Sequence, residues 1–273
     1  MRVIFSDRMS CQFSHELKLD RASHHLNSLK AKVREWREGE THRYISHIDR
    51  ESGKQFVYIR FTKPVPAELR LIIGDCLHNL RSALDNLVYD LVVAHHGDPP
   101  PPEFVERSEF PIFGPRAMSS SVRQNRIGGI DPRAQTIIEG LQPHNRGAEF
   151  ESDPLWKLHQ LSNMDKHRVP HVARVAISSY ADFPDAPHLP GTISINMGAY
   201  EDGAEIASYT PHVSAFAESF DPYVHMDSLL TFGIVFGEGS ATPGWDCGVA
   251  LRWIQAHIVN KVLPPLAHYL TRV

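Results

Sequence analysis

At 273 residues the chain has room for one large domain or two ordinary ones, and its hydrophobic share of 42% and charged share of 22% exclude a disordered chain. A net charge of −4 without a long Lys/Arg cluster argues against gripping duplex DNA through many phosphate contacts, and leaves single-stranded RNA or a small molecule as compatible partners. No apolar run approaches the roughly eighteen residues of a membrane span and the start Met1, Val3, Ile4, Phe5 is too short for a signal peptide, so a cytoplasmic protein with no membrane partner is expected.

Over residues 14–37, Ala22, Leu26, Leu29, Val33 and Trp36 recur at steps of four and three, which predicts a long amphipathic helix with Ser14 as its N-cap. Residues 43–49 and 55–62 are rich in Tyr, Ile, Phe and Val, and Arg50-Glu51-Ser52-Gly53 between them has turn chemistry; the pattern reads as a β-hairpin. The hairpin leads into residues 65–97, the stretch around which the rest is organised. Pro66 suits a first helical turn, Gly97 and the prolines from Pro99 to Pro102 supply the stop, and Leu77, Leu80, Leu84, Leu87, Val88 and Leu91 form one apolar stripe. A long irregular segment follows to about Ile130, with a short strand expected at 110–113.

Asp131-Pro132 and Asp153-Pro154 each place a capping acid before a proline at the first helical position, predicting helices over 132–141 and 154–167. The period then becomes two. Residues 192–197 and 230–236 alternate cleanly, 172–178 and 204–209 less so, and Glu201-Asp202-Gly203 reads as a hairpin turn. A last helix over 249–263 has Asp246 as candidate cap and Pro264-Pro265 as its stop. The elements amount to an α+β protein, a long-helix bundle packed with an antiparallel β-sheet. One composite domain over 1–273 is expected; the alternative divides it into 1–168, mainly helical with the N-terminal hairpin, and 169–273, sheet plus C-terminal helix. A homo-oligomer is compatible with either. Cys11, Cys76 and Cys247 form no metal-type pair and leave an odd thiol under any pairing, which fits a reducing compartment without disulfides.

The polar side of the central helix carries Asp75, His78, Asn79, Arg81, Ser82, Asp85 and Asn86, with none of the Lys, Glu or Gln that usually cover a solvated helix face. On the later helix Leu155, Leu158, Leu161 and Asp165 share one stripe, so Asp165 continues an apolar face and needs a partner such as Arg81 or His78. Two uses follow. The first is a structural or regulatory network in an interaction protein, a buried ion pair locking two helices. The second is a pocket of Asp75, His78, Arg81, Asp85, Asp165 and His167 for hydrolysing a phosphoester, with His78 or His167 as proton carrier and Arg81 holding phosphate. Asp75 and His78 at i, i+3 also have the spacing of two helical metal ligands, a weak signal on its own that would make a metal-dependent hydrolase. No cofactor is indicated: the Gly-rich turns at Gly128-Gly129 and Gly237-Glu238-Gly239 lack a nucleotide fingerprint, and no serine or cysteine nucleophile motif is present.

Helical bundles that cleave RNA with Arg-x4–6-His, the HEPN superfamily, offer an analogy through Arg252 and His257 on the last helix. With seventeen histidines in the chain such matches arise by chance, as Arg37 and His42 illustrate. The segments GDCLHNLRSALDNL (Gly74 to Leu87) and NMDKHR (Asn163 to Arg168) resemble those of a family of uncharacterised bacterial and phage-associated proteins with a Gly-Asp-x-x-His-Asn-x-Arg-Ser-x-x-Asp helix and a later Asp-Lys-His-Arg. The resemblance extends to Leu141-Gln142-Pro143 and the N-terminal hairpin, and brings no activity with it. It implies that Asp75, His78, Asn79, Arg81, Asp85, Asp165 and His167 belong to a signature. In that family the position of Asn86 is often His, which would complete Arg-x4-His from Arg81; this chain has Asn there, which cannot move a proton at neutral pH.

Overall fold

The computed structural model describes residues 13–167, 172–180, 191–196, 199–211, 230–237 and 239–270. Helix α1 is Ser14–Arg37 and the hairpin is β1 (His42–Ile48) with β2 (Gln55–Phe61). Helix α2 is Ala67–His96, followed by α3 (Pro102–Val105), α4 (Ser120–Ile127), α5 (Pro132–Gly140), a 3-10 stretch over Pro143–Ser152, and α6 (Pro154–His167). Strands β3 (Val172–Tyr180), β4 (Gly191–Ile195), β5 (Ala199–Tyr200), β6 (Glu205–Pro211) and β7 (Leu230–Phe236) precede helix α7 (Cys247–His257). The architecture is α+β, and among the described residues every strand pairing is antiparallel.

Several helix ends follow from local chemistry. Asp131 caps α5 by accepting the Arg133 N–H at 2.7 Å, and Asp153 caps α6 by accepting that of Leu155 at 2.8 Å. Asp246 accepts the Val249 N–H at 2.9 Å, so α7 begins at Cys247, two residues before the expected start. The start of α1 differs more. Ser14 does not cap it; the Glu16 carboxylate accepts the Phe13 N–H at 3.1 Å, and Asp90 of α2 accepts the His15 N–H at 3.1 Å and the Ser14 hydroxyl at 2.9 Å. At the other end, Pro264-Pro265 do not stop the last helix. A π-turn over Ile258–Val262 widens the backbone, and the prolines then fall in the first turn of the next helical segment, Leu263–Leu266, where their missing N–H groups are no loss.

Two sheets form where one was expected. The four-stranded sheet has the order β1-β2-β6-β4 and the three-stranded sheet the order β5-β3-β7. The turn at Glu201 to Gly203 is therefore no hairpin, because β5 and β6 on its two sides belong to different sheets. It docks onto the N-terminal hairpin instead: the Gly203 N–H donates to Ile59 O at 2.8 Å, and Asp202 accepts the Phe61 N–H at 2.8 Å while pairing with Arg60. Gly203 has φ +85°, which a side chain would strain. The expected strand at 110–113 is absent as well: its peptide groups bond to side chains and to the His144 main chain rather than to a neighbouring strand.

The chain divides into two compact units whose boundaries fall within α1, α2, α6 and α7. One comprises Met1–His25, Asp75–Ser162 and Trp253–Val273. Its core takes the expected stripe of α2, with Leu77, Leu80, Leu84, Leu87, Val88 and Leu91 all buried, together with Phe110, Ile130, Ile138, Leu155 and Leu158. The other comprises Leu26–Gly74 and Asn163–Arg252, with Trp36, Ile59, Leu69, Ile73, Ile206, Ile234 and Phe236 at its centre. No helix of the described residues is long and apolar enough to cross a membrane. Cys76 and Cys247 are free and buried, and Cys11 and Val169 lie outside the described residues.

Candidate functional site

Helix α2 positions the candidate residues in three ways. Asp75 and His78 are exposed, and the Ser82 hydroxyl lies 3.4 Å from His78 Nε2. Asn79 is buried and satisfied by its own helix, donating to Asp75 O at 2.8 Å. Arg81 is 8% exposed and turns inward. Its Nη2 donates to Asp85 Oδ1 at 2.8 Å, to Glu109 Oε1 at 2.8 Å and to the main-chain carbonyl of Phe110 at 2.7 Å. Asp85 Oδ1 also accepts the Phe110 N–H at 3.0 Å, and Arg126 pairs with the other Glu109 oxygen at 3.4 Å.

The physical reading starts from Phe110, which is fully buried. A buried peptide group must find both a donor and an acceptor. Arg81 and Asp85, one turn apart on α2, supply one each. Three residues on, the Phe113 N–H donates to Gln142 Oε1 at 3.0 Å and Phe113 O accepts the His144 N–H at 3.0 Å. Helix side chains thus serve the Phe110 peptide, while the Gln142 side chain and the His144 main chain serve that of Phe113. Arg81 Nη1, by contrast, is buried without a hydrogen-bond partner among the described residues.

Asp165 is half-buried at the end of the apolar stripe of α6, with Leu155, Leu158 and Leu161 buried before it. Its carboxylate lies against Gly74 of α2: a Cβ placed on Gly74 would sit 2.6 Å from Asp165 Oδ1. Both residues come from the segments that carry the family resemblance, and the close approach is a physical reason for glycine there. On the other unit, Arg81 directs Nη2 to Asp85, Glu109 and the Phe110 carbonyl. The His167 side chain lies outside the described residues.

His257 is half-buried and its pKa is lowered by burial, an effect that Asp153 opposes and Arg146 and Lys261 reinforce. His42 Nε2 lies 3.1 Å from the Tyr44 hydroxyl and its ring meets Phe232 edge-on at 4.7 Å. Among the described residues no group of three or more His, Cys, Asp or Glu is placed to hold a metal ion, so Asp75 and His78 have no third ligand there.

Sequence reasoning missed Glu109, Phe110 and Asp90. Glu109 and Phe110 follow α2 by an irregular stretch, and nothing local marks them as the mates of Arg81. Asp90 could have been found, since it interrupts the apolar run Leu87-Val88-Tyr89-Asp90-Leu91-Val92-Val93 and a buried carboxylate needs a partner. That partner is His15, 2% exposed, whose Nδ1 is 2.7 Å from Asp90 Oδ2. Burial on both sides makes this a tie between α1 and α2 and closes it to a substrate. No protein-family model, no curated protein and no solved structure matches this chain.

Proposed function

We propose that the polar face of α2 is a structural lock in a non-hydrolytic interaction or regulatory protein, and that Arg81 and Asp85 hold the 109–113 segment against the helix. The observation that carries this reading is the triple use of Arg81 Nη2 in a site 8% exposed. A phosphate-binding arginine needs donors that face an open cleft, and here those donors end on Asp85, Glu109 and a buried carbonyl. The exposed Asp75 and His78 have no general-base or metal geometry built around them among the described residues.

Hydrogen exchange on the intact chain tests the lock together with a cleavage assay. The Phe110 amide is expected to be strongly protected and to lose that protection in Asp85→Ala, while His78→Ala leaves it unchanged. Labelled single-stranded RNA incubated with the protein, with and without a chelator, is expected to remain intact. Cleavage that disappears in His78→Ala would overturn the reading, as would a Phe110 amide that exchanges freely in the unsubstituted protein.

A further inference from the structure

The second unit contains a cavity of about 250 Å³ between the last turns of α1 and the first turn of α7. Its floor is apolar, from Leu29, Val33 and Ile234, and its rim carries Lys30, Arg34, Arg37 and Arg252 against the single carboxylate of Asp246. Lys30, Arg34 and Arg37 sit at steps of four and three, which puts them on one side of α1. Arg34 has a loose, exposed contact with Glu38 at 3.9 Å. Lys30, Arg37 and Arg252 have no ion pair among the described residues.

Arg34 and Arg37 have an ordinary explanation in the last turn of α1, where cations oppose the negative end of the helix dipole. Arg252 reaches backwards along α7, so that a Cβ on Gly248 would lie 3.4 Å from Arg252 Nη1 and 3.3 Å from Asp246 Oδ1; its guanidinium covers the first turn of the helix, the end that already carries partial positive charge, beside the one carboxylate that lines the cavity. Asp246 is committed to the cap and accepts the Val249 N–H. Four cations around an apolar floor, against one carboxylate that the cap already uses, give the cavity a positive potential that favours an anion between them. Cys247 contributes no anion, because burial pushes its thiol well above the ordinary range.

From this we infer that the cavity binds a small phosphorylated organic molecule, with Arg37, Arg252 and Lys30 on the phosphate and its apolar part over Leu29, Val33 and Ile234. The volume suits a phosphomonoester of about mononucleotide size better than a polymer, and the apolar floor distinguishes it from a bare phosphate site. The inference goes beyond the α2 lock, shares no residue with it, and can fail while the lock stands.

The test is calorimetric titration of the full chain with adenosine 5′-monophosphate, adenosine, inorganic phosphate and a short oligouridylate, at low and high salt. The nucleotide is expected to bind one site, more weakly at high salt, with inorganic phosphate weaker and adenosine silent. Arg37→Gln and Arg252→Gln should each weaken it by about tenfold or more, because each removes a charged bidentate donor. Both residues are exposed, so their loss should leave the circular dichroism spectrum unchanged, and Arg133→Gln on the other unit should leave affinity unchanged. Failure of the nucleotide to bind, equal binding by adenosine, wild-type affinity in both cavity variants, or equal weakening by Arg133→Gln would overturn the inference. Binding of the oligouridylate that the mononucleotide does not displace would overturn the small-molecule assignment.

Discussion

Replacing Arg81 by alanine should be costly in a way that the local geometry sets. The substitution removes three hydrogen bonds from Nη2, but their loss is unequal. The Phe110 carbonyl is left unsatisfied inside the core, since Phe110 is 0% exposed, and an orphaned buried acceptor costs about 1–3 kcal/mol. Asp85 keeps the Phe110 N–H and Glu109 keeps Arg126, so each carboxylate retains a partner. Half-exposed carboxylates of this kind add about 1 kcal/mol between them, giving about 3 kcal/mol in all. In the opposite sense, the unpartnered Nη1 disappears, which trims the loss. Urea denaturation should show a lower midpoint at unchanged slope. Glu109→Gln should lose less than about 1 kcal/mol, because its side chain is 43% exposed and salt screens such pairs. The double variant Arg81→Ala with Asp85→Ala should be non-additive, since both singles release the same peptide group. Equal losses for Arg81→Ala and Glu109→Gln, or a loss under about 1 kcal/mol for the former, would refute the account of Phe110 as the group that matters.

Asp90→Ala should destabilise by about 3 kcal/mol, because it strands the buried His15 ring and uncaps α1 at once; thermal melts should register it, and Ser14→Ala should lose only a fraction of that. Gly74→Ala brings a methyl group 2.6 Å from Asp165 Oδ1, so stability should fall despite the better helix propensity of alanine, and Asp165→Ala in the same chain should recover part of the loss by removing the colliding atoms. Stability should also fall with acid below pH 6.5. The His25 pKa is lowered from 6.5 chiefly by burial, reinforced by Arg21 and His24 and opposed by Asp75, and that of His257 is lowered as well. The unfolded chain therefore takes up these protons first, so the stabilisation is complete above 6.5 and is lost as pH drops toward the lower folded values. The melting temperature followed from pH 7.5 to 5.5 should decline less steeply in His25→Gln, and an identical slope would show that His25 is not the group responsible.

The sequence by itself determined the elements whose signals are local. The leucine stripe of α2, the hairpin at β1 and β2, and the acid-proline starts of α5 and α6 are periodicity and capping, which act over a few residues and survive in any context. It also marked Arg81, Asp85 and Asp165 as side chains that needed partners, because a helix face without lysine or glutamate and a carboxylate at the end of a leucine stripe are both costly to leave unanswered. Which partners answered was a matter of tertiary structure. Glu109 and Phe110 reach Arg81 from an irregular segment, the Asp165 carboxylate lies against Gly74, and Asp90 caps a helix 75 residues away. The same holds for the failed stop at Pro264-Pro265, where a π-turn moved the prolines to a permitted position, and for the false hairpin at Gly203, whose flanking strands pair with distant ones. The cavity shows the limit most clearly: the cations of α1 read as dipole partners until Arg252, more than two hundred residues later, is folded in opposite them. Propensity is read over one turn of chain, whereas charge and burial are decided by whatever the fold brings within a few ångströms.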